Sequence, residues 1–170
     1  KKYRLKKNNY VLATVHRSHN TDIEKRLKYI IESLDVLAKN IKVIFPVHPR
    51  TIKFIKKYKI ISTNVTFIEP LSYLNLITLL KYCKFVATDS GGLQKESYFS
   101  KKQCITLRNE TEWPETLKYR NNILCAPDNK KNMQKILQFV YKKQHIIKLN
   151  NVFGNGNSAK KIIKIINKLK

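Results

Sequence analysis

The sequence predicts an α/β domain built on a doubly wound parallel sheet of about six strands, and three observations carry this prediction. Six short apolar runs suited to buried strands recur between residues 10 and 125. Segments with the apolar spacing of amphipathic helices separate most of these runs. Polar or glycine-containing segments directly follow five of the runs. Because ligands of such sheets lie beyond the carboxyl ends of the strands, we expect these segments to converge on one edge.

Taken in order, the elements alternate along the chain. The predicted strands are Tyr10–Val15, Ile41–Phe45, Val65–Ile68, Phe85–Thr88, Gln103–Leu107 and Asn122–Cys125. The predicted helices are a first one from Thr21 or Asp22 to about Lys39, then 51–58, 73–82, one after Gly92, one that Asp128 caps and that ends near Lys142, and 158–169. Residues 1–9 are basic and are predicted to be a frayed segment or linker, residues 149–157 a loop, and residues 10–170 one domain.

The stretch from Cys83 to Phe99 organises the chain, because it combines a strand, a glycine turn and a helix start. Gly91 and Gly92 are two of only four glycines, and without a Cβ they would let a diphosphate approach the free N–H groups of the helix. Ser90 can cap the helix or donate to a phosphate oxygen, and Glu96 suits a ribose diol. An ordinary capped helix after a strand explains this local pattern equally well.

Two further strand ends carry candidate site residues, each with two interpretations. His16 follows the first strand and is either a general acid or phosphate ligand, or a hydrogen-bonded structural histidine. Arg108 pairs either with a phosphate or with a structural carboxylate such as Glu112 or Glu115. Trp113 stacks on a base or sugar or anchors its loop, and the anchor is the slightly favoured interpretation.

The strongly basic composition raises the question of nucleic-acid binding. The chain has 35 basic and 11 acidic residues, for a net charge of +24. Only six of the basic residues are arginines, and the lysines are spread along the polar sides of predicted helices. We therefore consider nucleic acid an unlikely partner and expect the charge to attract anionic ligands such as nucleotide sugars.

Other compositional features narrow the setting. Cys83, Cys104 and Cys125 each lie in or beside an apolar run, which predicts buried thiols in a reducing compartment rather than disulfides or a metal site. No apolar run approaches the roughly 18 residues of a membrane span. The first residue is Lys1 rather than Met, which suggests a piece of a longer protein.

With these segments in order, the chain resembles the C-terminal half of the non-hydrolysing UDP-N-acetylglucosamine 2-epimerases. The most specific segments are Asp-Ser-Gly-Gly-x-Gln-x-Glu from Asp89 and Thr-Glu-x-Pro-Glu from Thr111. The other matching segments are residues 14–17 with 20–22, 45–49, 69–74, Arg108 and 154–156. They follow the family's order and span nearly the whole chain.

The resemblance implies a two-domain, glycosyltransferase-B-like fold with a nucleotide sugar in its cleft, of which this chain is the Rossmann-like half. It also implies inversion at C2 of the sugar, with UDP eliminated to a glycal intermediate and added back. His16 looks like the active-site histidine near the diphosphate. Ser90, Gly91 and Gly92 look like the diphosphate-binding turn, and Glu96 looks like the ribose-binding carboxylate.

Further substrate contacts are implied at Arg17, Leu71, Leu76, Arg108 and Trp113. Leu76 stands where the family usually has the phenylalanine near the uracil, and Leu71 replaces a polar residue in the same loop. Trp113 replaces an arginine that binds ligand in many members. These positions bear on which sugar is bound.

Two more positions depart from the family pattern. His19 stands where a glutamate usually follows the family histidine, and Lys95 replaces the first of two paired glutamates. Epimerases of other UDP-acetamido sugars therefore remain an alternative, as does a nucleotide-binding domain of a glycosyltransferase with this fold. A basic nucleic-acid-binding module is the third interpretation.

The resemblance also implies the partners. It implies no cofactor and no metal, a UDP-sugar substrate, and an N-terminal α/β domain that supplies several acid/base carboxylates. We accordingly predict that this chain alone binds UDP but does not epimerise the UDP-sugar. A homodimer, a cytoplasmic location without membrane contact, and a role in cell-surface polysaccharide biosynthesis complete the implied setting.

Overall fold

A computed structural model describes residues 5–141 and 152–169 of the chain. The strands are β1 Tyr10–Thr14, β2 Lys42–Pro46, β3 Thr66–Ile68, β4 Phe85–Thr88, β5 Cys104–Thr106 and β6 Asn122–Leu124. They form one parallel sheet in the order β3-β2-β1-β4-β5-β6. The predicted fold class and all six predicted strands are thus confirmed.

Helices lie between most of the strands and after the last one. They are α1 Ser18–Thr21, α2 Glu24–Ala38, α3 Pro49–Lys57, α4 Tyr73–Tyr82, α5 Gly91–Phe99, α6 Lys130–Tyr141 and α7 Ser158–Ile166, with 3₁₀ turns at Pro114–Thr116 and Lys118–Arg120. The predicted end of α6 at Lys142 and part of the predicted loop 149–157 lie outside the described residues, as do residues 1–4 of the predicted linker. The described part of that linker contacts the domain, since the Asn8 N–H donates to Tyr82 O at 2.8 Å.

The sheet is buried on both faces, because neighbouring residues of a strand point to opposite sides. In β1, Val11 packs in one apolar cluster with residues of α2, α3 and α6, whereas Leu12 packs in the other with residues of α4 and α5. Both side chains are fully buried. This three-layer arrangement of helices on both faces is the doubly wound architecture that the alternating pattern predicts.

The strand order reverses at β1, which lies between β2 and β4. Thr14 pairs in register with Thr88, and their hydroxyl oxygens lie 2.6 Å apart. The segments that follow these two strands therefore begin side by side at the carboxyl edge. Ligands of open parallel sheets bind in the crevice at such a switch point.

The predicted cap of the first long helix is wrong. Thr21 ends the short helix α1, where its hydroxyl donates to Arg17 O, and α2 begins after Ile23 without a side-chain cap. The Asp22 carboxylate accepts from the Arg50 guanidinium instead. The polar sequence of α1 has no apolar periodicity, so the pattern merges it with the boundary of α2.

The start of α6 also differs from the prediction by one residue. The Asn129 side chain accepts from the Asn132 N–H at 2.8 Å, which is the contact of a helix cap. Asp128 accepts instead from Arg26 and from the Asn109 side chain. A carboxylate beside an arginine forms the stronger, charge-assisted contact, so the neutral neighbour takes the cap.

The cysteines are free, buried thiols as predicted. Burial raises the pKa of Cys83 and Cys104 to about 12 and that of Cys125 to about 11. These thiols therefore stay protonated at neutral pH. Among the helices of the described residues, none combines the length and the apolar character of a membrane span.

Candidate functional site

A cavity of about 300 Å³ lies at the carboxyl edge of the sheet, next to the switch point. Its wall consists of Thr14, Val15, His16, Pro46, His48, Pro70, Leu71, Tyr73, Leu76, Ser90, Gly92, Leu93 and Glu96. Six of the predicted site residues are thus brought together here. The other four, Arg17, Gly91, Arg108 and Trp113, do not line this cavity.

The buried carboxylate of Asp89 holds the segment that carries His16. It accepts the backbone N–H of His16 at 3.0 and 3.1 Å and that of Arg17 at 3.0 Å. The amide of Asn20 donates to the same carboxylate at 3.1 Å and to Leu107 O at 2.9 Å. Asp89 and Asn20 are both fully buried, so these bonds tie the ends of β1, β4 and β5 together.

Sequence reasoning assigned no role to Asp89 or Asn20, although both lie in the matched segments. The available signal was the position of Asp89, a charged residue placed directly after the buried strand β4. A buried carboxylate needs several donors, and here the donors come from residues more than 65 positions away in sequence. Such distant partners are not visible in a local pattern.

His16 lies half-buried in the cavity wall between a carboxylate and a second histidine. Its Nδ1 is 3.5 Å from Asp89 Oδ1, and its ring centroid is 5.7 Å from that of His48. Burial lowers the pKa of His16, with Asp89 opposing this shift and with His48 and Arg17 adding to it. The imidazole is therefore biased toward the neutral form until an anion enters the cavity.

The start of α5 presents the helix N-terminus to the cavity. The Ser90 hydroxyl caps the helix by accepting from the Leu93 N–H at 3.3 Å. In this geometry the N–H groups of Gly91 and Gly92, at the first two helical positions, have no acceptor within the helix. Gly92 lines the cavity, and a methyl group added to it would contact only the Ser90 Oγ at 3.8 Å.

Gly91 instead lies beneath the loop that follows β5. A methyl group added to it would lie 3.2 Å from Glu112 Oε2. The Glu112 carboxylate accepts from Arg108 Nη1 at 2.5 Å, and Arg17 Nη2 lies 3.8 Å away. The hydrogen bond from Arg108 is the main cause that lowers the pKa of Glu112. Of the two interpretations of Arg108, the structure displays the carboxylate pair.

Trp113 anchors this loop to α5. Its indole N–H donates to Gly91 O at 2.8 Å, and its ring packs edge-on against Phe153 at 5.8 Å. The ammonium of Lys95 lies 4.2 Å from the centre of the indole ring. The favoured interpretation of Trp113, an anchor rather than a stacking platform, matches these contacts.

Glu96 and two leucines form the far wall of the cavity. Glu96 raises the pKa of the exposed Tyr73 phenol, first by its charge and, after desolvation, by a hydrogen bond. Tyr73 is thus a polar member of the wall that sequence reasoning missed. Leu71 and Leu76 add apolar surface beside it. Among the described residues, no group of three or more His, Cys, Asp or Glu side chains could hold a metal ion.

This fold and site define a class. The parallel sheet with a crevice at its switch point and a helix N-terminus beside it is one half of a glycosyltransferase-B-like fold. The family model described as UDP-N-acetylglucosamine 2-epimerase matches residues 1–167. The chain belongs to this family, which confirms the resemblance seen in the sequence.

Known proteins agree with this assignment. A UDP-N-acetylglucosamine 2-epimerase homolog of Methanococcus maripaludis is 42% identical over 170 residues, which are 97% of this chain and 46% of that protein. A crystal structure of the Methanocaldococcus jannaschii enzyme in complex with UDP-GlcNAc and UDP is 36% identical, with a TM-score of 0.81, and covers 94% of this chain and 45% of that one.

A Pseudomonas aeruginosa protein described as UDP-2,3-diacetamido-2,3-dideoxy-D-glucuronate 2-epimerase is also 42% identical, over 118 residues covering 69% of this chain and 33% of the relative. The chain spans about half the length of the first two proteins, 46% and 45%.

Proposed function

We propose that this chain is the UDP-binding half of a UDP-N-acetylglucosamine 2-epimerase. The observation that carries the proposal is the cavity at the switch point, where His16, the N-terminus of α5 at Gly92, and Glu96 share one wall. These are the three groups that a nucleoside diphosphate needs: a proton donor or cation, fixed N–H groups, and an acceptor for the ribose diol. Similarity to an epimerase solved with UDP-GlcNAc and UDP supports this choice of ligand.

In the proposed complex the diphosphate lies against the start of α5. The N–H of Gly92 and the helix dipole stabilise its negative charge, and Ser90 keeps the helix start in place through its cap. Glu96 accepts hydrogen bonds from the ribose hydroxyls in place of the one from Tyr73. The uracil lies against the apolar side of Leu71 and Leu76.

The reaction proposed for the whole enzyme inverts C2 of the sugar through elimination of UDP and its re-addition to a glycal. The C1–O bond to the diphosphate breaks, and its electron pair leaves with UDP, while a carboxylate of the other half removes the proton from C2. This chain stabilises the departing UDP by fixed N–H groups and by a protonated His16. In this proposal the chain contacts only the departing UDP, and the carboxylate that acts at C2 belongs to the other half. The chain alone therefore binds UDP without epimerising UDP-GlcNAc.

In this proposal, the sugar specificity of the enzyme depends on the second half and on the loop residues of this chain. A second candidate substrate is another UDP-acetamido sugar, favoured by the similarity to the Pseudomonas aeruginosa protein. The partner is the N-terminal α/β domain of the same enzyme. A homodimer, a cytoplasmic location and a role in cell-surface polysaccharide biosynthesis stay predictions from the family resemblance.

The test is a calorimetric titration of the chain with UDP at two salt concentrations. We expect binding by the wild type and a loss of at least about tenfold in affinity for Glu96→Ala, because a hydrogen bond to a charged group is removed. Glu24→Ala is the matched control, since Glu24 is an exposed carboxylate in the first turn of α2 and outside the cavity. It should bind UDP like the wild type.

Three results would overturn the proposal. One is absence of UDP binding, and another is equal UDP affinity for Glu96→Ala and the wild type. The third is tight, steeply salt-dependent binding of nucleic acid together with indifference to Glu96→Ala, which would favour the basic binding module. In the same samples, turnover of UDP-GlcNAc by the chain alone would contradict the assignment of the missing acid/base groups to the other half.

A further inference from the structure

The Asp89 carboxylate contacts the ring of His16 in addition to the backbone that it holds in place. Three N–H donors, the backbone groups of His16 and Arg17 and the amide of Asn20, hold the carboxylate at 3.0 to 3.1 Å. These bonds fix both oxygens in one orientation. In that orientation Oδ1 also lies 3.5 Å from Nδ1 of the same histidine whose backbone it holds.

This contact bears on which ring nitrogen of His16 carries the proton. An ionised carboxylate only accepts hydrogen bonds, so a neutral imidazole next to it is more stable with its proton on the facing nitrogen. The facing nitrogen is Nδ1, which leaves Nε2 as the free nitrogen of a ring that lines the cavity. The titratable and charged groups around this ring are Arg17, His48, Tyr73, Asp89 and Glu96.

Among the groups that affect the charge of His16, Asp89 is the one that favours its protonation. Arg17 and His48 act in the opposite direction. Asp89 therefore has two effects on one side chain, one on the tautomer and one on the charge. When the ring becomes cationic, the second proton therefore binds to Nε2, because Nδ1 already carries the proton that faces the carboxylate.

We propose that Asp89 is the positioning residue of this site, which holds His16 as the Nδ1–H tautomer so that Nε2 receives and presents the proton to the leaving diphosphate. The inference rests on the proposed function for the identity of the anion. The tautomer itself is a property of the free protein and is measured without any ligand.

His48 supplies an internal control in the same cavity. Its Nδ1 accepts from the Arg50 N–H at 3.1 Å, so its proton lies on Nε2 when the ring is neutral. The structure thus assigns opposite tautomers to two histidines whose ring centroids are 5.7 Å apart. A measurement that reads both rings separates a specific effect on His16 from a general change of the cavity.

The experiment is long-range ¹H–¹⁵N correlation NMR of the ¹⁵N-labelled chain at a pH where both histidines are neutral. We expect the Nδ1–H tautomer for His16 and the Nε2–H tautomer for His48. In Asp89→Asn the amide nitrogen can donate to Nδ1, so His16 should switch to Nε2–H while His48 stays unchanged. UDP affinity should fall by about tenfold or more, and its rise toward acid pH should begin at a lower pH than in the wild type.

Asn20→Ala is the matched variant, because it removes a donor to Asp89 and leaves the carboxylate in place. A purely structural role of Asp89 predicts similar effects of Asn20→Ala and Asp89→Asn on His16. The positioning role predicts that His16 keeps Nδ1–H in Asn20→Ala and loses it in Asp89→Asn. If Asp89→Asn does not fold, the wild-type spectrum still decides.

An Nε2–H tautomer for His16 in the wild type would overturn the inference, and so would an unchanged tautomer in Asp89→Asn. Either result together with normal UDP binding leaves the proposed function intact. Conversely, the expected tautomers without any UDP binding would support the role of Asp89 and reject UDP as the anion. The two proposals therefore fail in different ways.

Discussion

Two adjacent glycines at the start of α5 face different surroundings. Gly92 lines the cavity beside His16, whereas Gly91 lies beneath Glu112 and accepts a hydrogen bond from Trp113 through its carbonyl. The first turn of α5 therefore has two sides, a cavity face at Gly92 and a loop face at Gly91. A diphosphate-binding motif in sequence does not imply that each of its residues contacts the ligand.

The positions that the resemblance marks as departures lie on both faces: Lys95 and Trp113 on the loop face, and Leu71 and Leu76 in the cavity wall. Lys95 and Trp113 contact each other on the loop face, with the ammonium 4.2 Å from the indole centre. On the cavity face, His16, Gly92 and Glu96 share the wall with Leu71 and Leu76. Lys95 and Trp113 therefore form one contact that holds the loop, and neither residue lines the cavity.

The largest expected effect distinguishes the two glycines directly. Gly92→Ala should weaken UDP binding by about tenfold or more, because the methyl group would enter the cavity beside the N–H that holds the diphosphate in the proposed complex. It should leave the fold intact or stabilise it by up to about 1 kcal/mol, since neither glycine has a left-handed backbone and alanine favours a helix. Calorimetry with UDP and urea unfolding measure the two effects.

Gly91→Ala is the matched comparison. Its methyl group meets the end of the flexible Glu112 side chain at 3.2 Å, so we expect a small change in stability and UDP affinity close to that of the wild type. Equal losses of UDP affinity in both variants would show that the two faces are not separate. Unchanged affinity in Gly92→Ala would remove the helix N-terminus from the proposed binding mode.

The sequence was sufficient to predict the sheet, because its signals are local. Each strand is a short apolar run, and the polar segments that follow the runs identify the edge where the cavity lies. His16, Gly92 and Glu96 could be assigned to that edge for this reason. The short helix α1 and the cap residue Asn129 could not, because several polar neighbours compete for each role.

The side-chain partners within the site were harder to predict. Asp89, Asn20 and Tyr73 acquire their roles from residues far along the chain or on a neighbouring element. Arg108 and Trp113 had two possible partners each, and only the course of the loop selects Glu112 and the carbonyl of Gly91. Contacts between loops depend on tertiary geometry that a one-dimensional pattern does not contain.

A second, intermediate effect concerns stability at acid pH. Burial is the main cause that lowers the pKa of His16 on the cavity face and of His19 nearby. Unfolded histidine titrates near pH 6.5, so below that pH the unfolded chain binds more protons than the folded chain. The free energy of unfolding contributed by these rings should therefore be fully present above about pH 6.5 and fall as the pH falls, by at most about 1.4 kcal/mol per pH unit and histidine.

Urea unfolding of the wild type, His16→Asn and His19→Asn between pH 5 and pH 8 measures this dependence. Each variant should show a shallower loss of stability toward acid pH than the wild type. A steeper loss in His16→Asn would mean that protonation of this ring stabilises the fold, and that Asp89 outweighs burial. That outcome would reverse the sign of the charge effect on the cavity face.

The smallest expected effect tests the loop face alone. The contact between the half-buried Lys95 and Trp113 should contribute about 0.5–1 kcal/mol to the free energy of unfolding, the lower range for a cation above an aromatic ring. Lys95→Met keeps the length of the side chain and removes its charge, and Trp113→Leu removes the aromatic ring together with its hydrogen bond to Gly91. The coupling free energy from the two single variants and the double variant isolates the contact.

The UDP affinity of the same variants tests whether the loop face affects binding at the cavity face. If Lys95 and Trp113 only hold the loop, Lys95→Met should bind UDP like the wild type while its stability falls. A coupling of zero would mean that the two departures from the family pattern are independent despite their proximity. A loss of UDP affinity in Lys95→Met comparable to that in Gly92→Ala would instead indicate that the ammonium contributes to anion binding, because a contact with a charged group has an effect of that size.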